Sequence, residues 1–173
     1  MTHANSPAGY FITFTTYGER LHGDERGSVE RLRAAGAGVR ELLPDQGREG
    51  RERQVLLSTA MTLHGEQRQA VADAARGVCS HHNWRLHALN VRTNHVHIVV
   101  SGPATPERMM NAFKSWATRR LREARLVGSQ EKVWTRHGST RYLWTERDIL
   151  DAATYVLEGQ GPDIGGLRWT TEM

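Results

Sequence analysis

His95 and His97 stand either side of Val96 in the run Asn94-His95-Val96-His97-Ile98-Val99-Val100, and Tyr155 lies downstream in Thr154-Tyr155-Val156-Leu157-Glu158-Gly159-Gln160. Side chains along a strand alternate faces, so a strand at 95–101 turns both imidazoles one way and sends Val96, Ile98 and Val100 into a core. Two neutral imidazoles aimed at one point can hold a divalent metal, and a metal beside phosphate oxygens lets a nucleophile as weak as a phenol attack. Together these residues point to strand transfer at a DNA phosphodiester.

Each half of that pattern has an ordinary reading. Any half-exposed strand alternates polar and apolar residues, so a lone His-x-His is a weak signal. Tyr155 could equally be a core aromatic of a terminal helix. However, Ile149, Ala152, Ala153, Val156 and Leu157 already define that helix's apolar stripe, and at 100° per residue Tyr155 falls outside it.

The elements that must position these groups can be read from periodicity. Tyr10 to Tyr17 is dense in aromatic and β-branched residues and predicts the first strand, ended by Gly18. From 18 to 54 the composition shifts to Gly, Arg and Glu, too long for an ordinary connection, and reads as an insertion in which Val29, Leu32 and Arg33 suit a short helix. A helix over Glu66–His82 follows from the stripe Val71, Ala75, Val78 and Cys79. Arg85 to Arg92 reads as a strand with His87 on the face of Leu89 and Val91, and Thr93-Asn94 turns it into the histidine strand. Thr105-Pro106-Glu107 opens a second helix with the stripe Phe113, Ala117, Leu121 and Ala124. Val133 to Trp144 predicts a fourth strand interrupted at 136–139, and Thr145 with Asp148 forms a capping box for the last helix.

This order predicts an α+β fold. It is a ferredoxin-like βαββαβ plan with a four-stranded antiparallel sheet, two helices on one face and the other face open, plus the C-terminal helix that carries Tyr155. The expectation is a single domain over 1–173, with 161–173 a short tail.

The 173 residues suffice for a core without staples, and Cys79 as the only cysteine excludes an internal disulfide or a cysteine-based zinc site. The formal charge is +4, and only Lys114 and Lys132 of the 23 basic residues are lysines. Arginine forks suit phosphates and base stacking, so this balance leans towards nucleic acid. With no leader-like segment and no stretch near the ~20 apolar residues that span a bilayer, the expected setting is cytoplasmic, away from membranes.

The histidine run, the helix containing Lys114, the Val133-Trp134 strand and the Tyr155-Val156 helix together resemble the single-tyrosine HUH transposases, which carry the IS200-like domain and include the REP-associated tyrosine transposases of bacteria. The resemblance implies that His95, His97 and a polar residue one turn after the tyrosine bind Mg²⁺ or Mn²⁺. It implies that Tyr155 attacks single-stranded DNA at hairpin-bearing element ends, giving a 5′-phosphotyrosyl intermediate and a free 3′-hydroxyl. It also implies a homodimer. The familiar tyrosine-to-glutamine spacing is i+4, whereas Gln160 stands at i+5 beyond Gly159. Either the helix loosens by one residue there, or Glu158 at i+3 supplies the oxygen. An amide beside the attacking phenolate repels it less than a carboxylate, which favours Gln160.

Lys114, Arg119, Arg122 and Arg136 are the candidate DNA contacts, against the ordinary reading of Lys114 as a snorkelling surface lysine. Trp116 and Trp134 could stack on unpaired bases or pack in the core. Two other functions share these features. A catalytically inactive or domesticated relative would keep the fold and basic surface alone, but decay has no reason to spare His95, His97 and Tyr155 together. A histidine phosphoesterase would need a second His-x-Ser/Thr motif, which is not visible.

Overall fold

The computed structural model describes residues 6–18, 28–31, 39–42, 60–161 and 168–170. Among them the main elements are strand β1 (Gly9–Thr15), helix α1 (Gly65–His82), strands β4 (Arg85–Val91) and β5 (His95–Ser101), helix α2 (Pro106–Glu123), strand β6 (Ser139–Leu143) and helix α3 (Glu146–Glu158). Short strands β2 (Ser28–Arg31) and β3 (Val39–Leu42) pair with each other inside the 18–54 segment. Val29 therefore belongs to a strand, not to the expected short helix, while Leu32 and Arg33 lie outside the described residues. Strand β7 (Arg168–Thr170) arises from the expected tail.

The sheet order is β6-β1-β5-β4-β7, antiparallel throughout. Its first four strands reproduce the ferredoxin-like arrangement. β7 adds a fifth strand by pairing Asn90 with Arg168 and Ala88 with Thr170 along the outer edge of β4. The expected sheet of four is thus extended by one, because β4 would otherwise leave its ladder groups unpaired at an edge.

Helix ends form where local chemistry satisfies them. Gln67 accepts the His64 backbone N–H at 2.8 Å before α1, and Asn83 closes that helix in the left-handed region at φ 55°. Thr105 accepts the Arg108 N–H at the start of α2, with Pro106 in its first turn. Thr145 and Asp148 form the reciprocal capping box of α3.

Ile12, Phe14, Val96, Ile98 and Val100 face the two helices α1 and α2, meeting Val71, Val78, Phe113, Ala117 and Leu121 in the main core. Ala124 is the exposed C-cap of α2, so the stripe ends at Leu121. The opposite face is not left open as expected. Ala152 and Val156 of α3, with Ile149, Ala153 and Leu157 beside them, pack on Phe11, Ala88, Val99 and Leu143. The stripe of α3 needs an apolar surface, and these odd-face side chains are the ones the first two helices leave uncovered.

The last strand is also shorter than the predicted 133–144 span. Trp134 makes only an isolated bridge to Thr16, and the chain then turns before β6 begins at Ser139. That turn packs tightly on β1. A Cβ at Gly138 would come within 2.5 Å of both the Thr13 carbonyl oxygen and the Met110 sulfur, so only glycine fits.

Candidate active site

The β1–β5 register sets Thr13 opposite His97 and Thr15 opposite His95, while β4 sets Asn90 on the other side of His97. Both histidines share the face covered in part by α3, and their ring centroids lie 4.6 Å apart. His97 is buried and His95 half-buried.

Each imidazole is oriented through Nδ1. Asn94 Oδ1 lies 2.7 Å from His95 Nδ1, and an amide oxygen only accepts, so Nδ1 carries the proton and the ring's lone pair sits on Nε2. Thr13 Oγ1 lies 2.7 Å from His97 Nδ1, leaving Nε2 to face Gln160 Oε1 at 3.1 Å. A hydroxyl can donate or accept, so Thr13 serves His97 whether its Nε2 holds a proton or offers a lone pair. Such outer partners are what a metal-ligating histidine needs.

The Gly159 N–H still bonds Tyr155 O at 2.9 Å, after which the chain leaves the helix and brings Gln160, not the exposed Glu158, against His97. Asn90, buried opposite His97, donates from Nδ2 to Val156 O at 2.8 Å. It thereby occupies one of the carbonyls that the helix end leaves without an intrahelical partner and ties α3 to the histidine strand's neighbour.

Tyr155 projects from α3 as 51% exposed. Its ring meets Phe11 at 6.0 Å and His97 at 6.3 Å, both edge-on. It lies so close over Gly159 that a Cβ there would stand 2.7 Å from its Cδ2. The structure thus brings His95, His97, Gln160 and Tyr155 together on one face.

Two imidazole nitrogens and one amide oxygen could serve as three ligands of a six-coordinate divalent ion of borderline hardness. Cis ligands about 2.1 Å from such an ion are separated by about 3.0 Å, close to the observed Nε2-to-Oε1 spacing. Gln160 Nε2 is buried with no hydrogen-bond partner among the described residues, while Oε1 is the amide atom that meets His97. Among the described residues no three His, Cys, Asp or Glu side chains cluster, so an ion here would rest on two imidazoles and an amide.

Burial, reinforced by the neighbouring His95 and by Arg92 and opposed by the Gln160 hydrogen bond, pushes the His97 pKa down to about 4. The ring stays neutral at physiological pH. Because the unfolded ring takes up a proton near pH 6.5 and the folded one does not, metal-free protein should lose stability as pH falls from about 6.5 to 4. The loss should reach on the order of 3 kcal/mol. Urea unfolding with chelator at pH 7 and pH 4.5 checks this, with His97→Gln expected to show a smaller pH dependence.

The basic candidates separate. Lys114 is buried and donates from Nζ to the carbonyls of Thr135, Arg136 and His137 at 3.0, 3.4 and 3.1 Å. All three ammonium hydrogens are engaged, so the ammonium expected to contact DNA instead pins the 135–137 turn to α2. Lys114→Met should cost about 2–4 kcal/mol by thermal or urea melting, since three carbonyls lose a charged donor. Arg119 and Arg122 are exposed on α2, across the sheet from the histidines. Arg136 is exposed on the turn whose Thr135 bonds Thr15, so it lies at the histidine end of β1.

Trp134 packs edge-on against Phe14 and donates to Lys114 O and Thr118, fitting core packing and not base stacking. A bulge between Leu86 and Ala88 frees His87 from the face of Leu89, and its Nε2 lies 2.8 Å from Ser101 Oγ. Thr13 and Asn90 were missed in the sequence. The signal available was a polar residue within each otherwise apolar strand, but pairing either with His97 requires the register.

Residues 58–147 match the family described as "Transposase IS200 like", and the chain belongs to that family. The match includes His95 and His97 and ends before Tyr155 and Gln160. A candidate transposase from Deinococcus radiodurans R1 shares the fold at 14% identity and a TM-score of 0.51, covering 90% of this chain and 93% of that one. A REP-associated tyrosine transposase solved bound to a REP hairpin aligns at 11% identity and a TM-score of 0.49, over 92% of this chain and 70% of its own. No curated protein matches the chain.

Proposed function

We propose that this IS200-like transposase is a metal-dependent single-stranded DNA strand transferase with Tyr155 as nucleophile and His95, His97 and Gln160 as metal ligands. The observation that carries the reading is the convergence of a half-exposed phenol, two oriented imidazoles and an amide oxygen on one sheet face. Bound Mg²⁺ or Mn²⁺ would polarise the phosphate oxygens, and the two nitrogen donors suit Mn²⁺ better than Mg²⁺.

The chain's own groups account for the remainder. The exposed Tyr155 hydroxyl loses its proton to solvent as its oxygen bonds to phosphorus. The bond from phosphorus to the 3′-oxygen breaks, and that oxygen takes a proton to become a 3′-hydroxyl. The product is a 5′-phosphotyrosyl bond that a second 3′-hydroxyl can reverse, returning the phenol. Phe11 and Gly159 hold the ring edge-on beside His97, limiting its search for the attack geometry.

Hairpin-bearing element ends and a homodimer follow from the resemblance. Tyr142 and Trp144, exposed and stacked on each other at the end of β6, would supply apolar surface to a second copy. No helix among the described residues is long and apolar enough to cross a membrane.

Labelled single-stranded oligonucleotides from the gene's flanks, incubated with Mn²⁺ or Mg²⁺ and run on a denaturing gel, test the reaction. A covalent protein–DNA band that needs the metal is expected. Salt-sensitive binding without any adduct would mark an inactive nucleic-acid-binding module instead.

A further inference from the structure

Arg141 brings a positive charge to the histidine face at a position that no sequence motif singled out. It pairs with Phe11 across the β1–β6 ladder, and directly opposed residues of an antiparallel pair share a face. Its guanidinium carbon lies 5.6 Å from the centroid of the Phe11 ring, the ring that also meets His97 at 5.5 Å and Tyr155 at 6.0 Å. Phe11 is therefore the common neighbour of the cation, the proposed nucleophile and a proposed ligand.

Arg141 is exposed, and among the described residues it forms no ion pair. Asp148 feels its charge, but that carboxylate already accepts the backbone N–H groups of Trp144 and Thr145 at the start of α3. A guanidinium resting on an aromatic ring spends its flat face on the contact and keeps its N–H edges for a bidentate acceptor.

We propose that Arg141 is a phosphate-binding residue of this site, using those N–H edges to hold the non-bridging oxygens of the phosphodiester that Tyr155 attacks. The proposal rests on the strand-transfer reading above. Charge on these oxygens grows as phosphorus becomes five-coordinate, so the contact strengthens in the transition state and acts on the rate more than on binding. No bond is made or broken by Arg141 itself.

The test compares the parent with Arg141→Gln, Arg141→Lys and, from the exposed surface of α2 on the far side of the sheet, Arg120→Ala. Each receives the cleavable oligonucleotide with Mn²⁺, as an ordinary phosphodiester and with an uncharged methylphosphonate at the linkage the parent cuts. On the phosphodiester, Arg141→Gln should form adduct about 10²-fold more slowly at saturating DNA, with Arg141→Lys between it and the parent and Arg120→Ala close to the parent. On the methylphosphonate, which lacks the charge to be held, Arg141→Gln should match the parent.

A parent-like rate for Arg141→Gln on the phosphodiester overturns the proposal. So does an equal defect on both substrates, which would assign Arg141 to steadying α3 through Asp148. Absence of adduct from the parent overturns the strand-transfer reading and this inference with it, whereas a defect confined to the predicted substrate supports both.

Discussion

Tyr155→Phe is expected to bind single-stranded DNA and melt as the parent does while forming no detectable covalent adduct, a fall of at least about 10³-fold. The ring's contacts with Phe11, His97 and Gly159 survive the change. The deleted hydroxyl has no hydrogen bond to a described residue and half of the side chain faces solvent, so the fold loses little. Only the attacking oxygen disappears. A denaturing gel beside a binding isotherm and a melting curve separates these quantities. Adduct from the variant would move the nucleophile elsewhere, with Tyr142 the next to test. Tyr142, however, pairs with Tyr10 on the face of α1 and α2 and stacks on Trp144.

His97→Ala and His95→Ala should each abolish saturable Mn²⁺ binding by titration calorimetry, and with it metal-stimulated cleavage. The effect should exceed the about 10–100-fold typical of losing an outer partner. Thr13→Val, which removes the hydroxyl on His97 Nδ1, belongs in that smaller range. Glu158→Gln should behave like the parent because Gln160, not Glu158, reaches His97. Undiminished Mn²⁺ affinity in His97→Ala would put the ion at another site. Weakened binding in Glu158→Gln would return the third ligand to the helix.

Much of the scaffold was legible because local chemistry determines it. The capping box at Thr145 and Asp148, the proline-led start after Thr105 and the alternation around Val96 are decided within a few residues of themselves. The same holds for the direction of Tyr155, since the helical period alone puts it off the stripe of Ile149, Ala152 and Val156. The shared face of His95 and His97 follows from the two-residue period of any strand.

Other features depend on what happens to be opposite. The stripe of α3 showed that it must be buried but not where, and only the finished sheet reveals that Phe11, Val99 and Leu143 form the remaining apolar surface. Lys114 has the sequence of a snorkelling or phosphate-binding lysine, and its three carbonyl partners come from a turn more than twenty residues away. The fifth strand came from a tail with no strand periodicity, recruited because the β4 edge had free ladder groups.

By itself, then, the sequence determined the histidine face, the outward tyrosine and the order of strands and helices, because each is set by a period or a cap. Only the tertiary structure decided that Gln160 closes on His97, that Thr13 and Asn90 flank that ring, and that Arg141 shares Phe11 with Tyr155. These are contacts between residues far apart in the chain, selected by strand register and helix docking, which no spacing along the chain encodes.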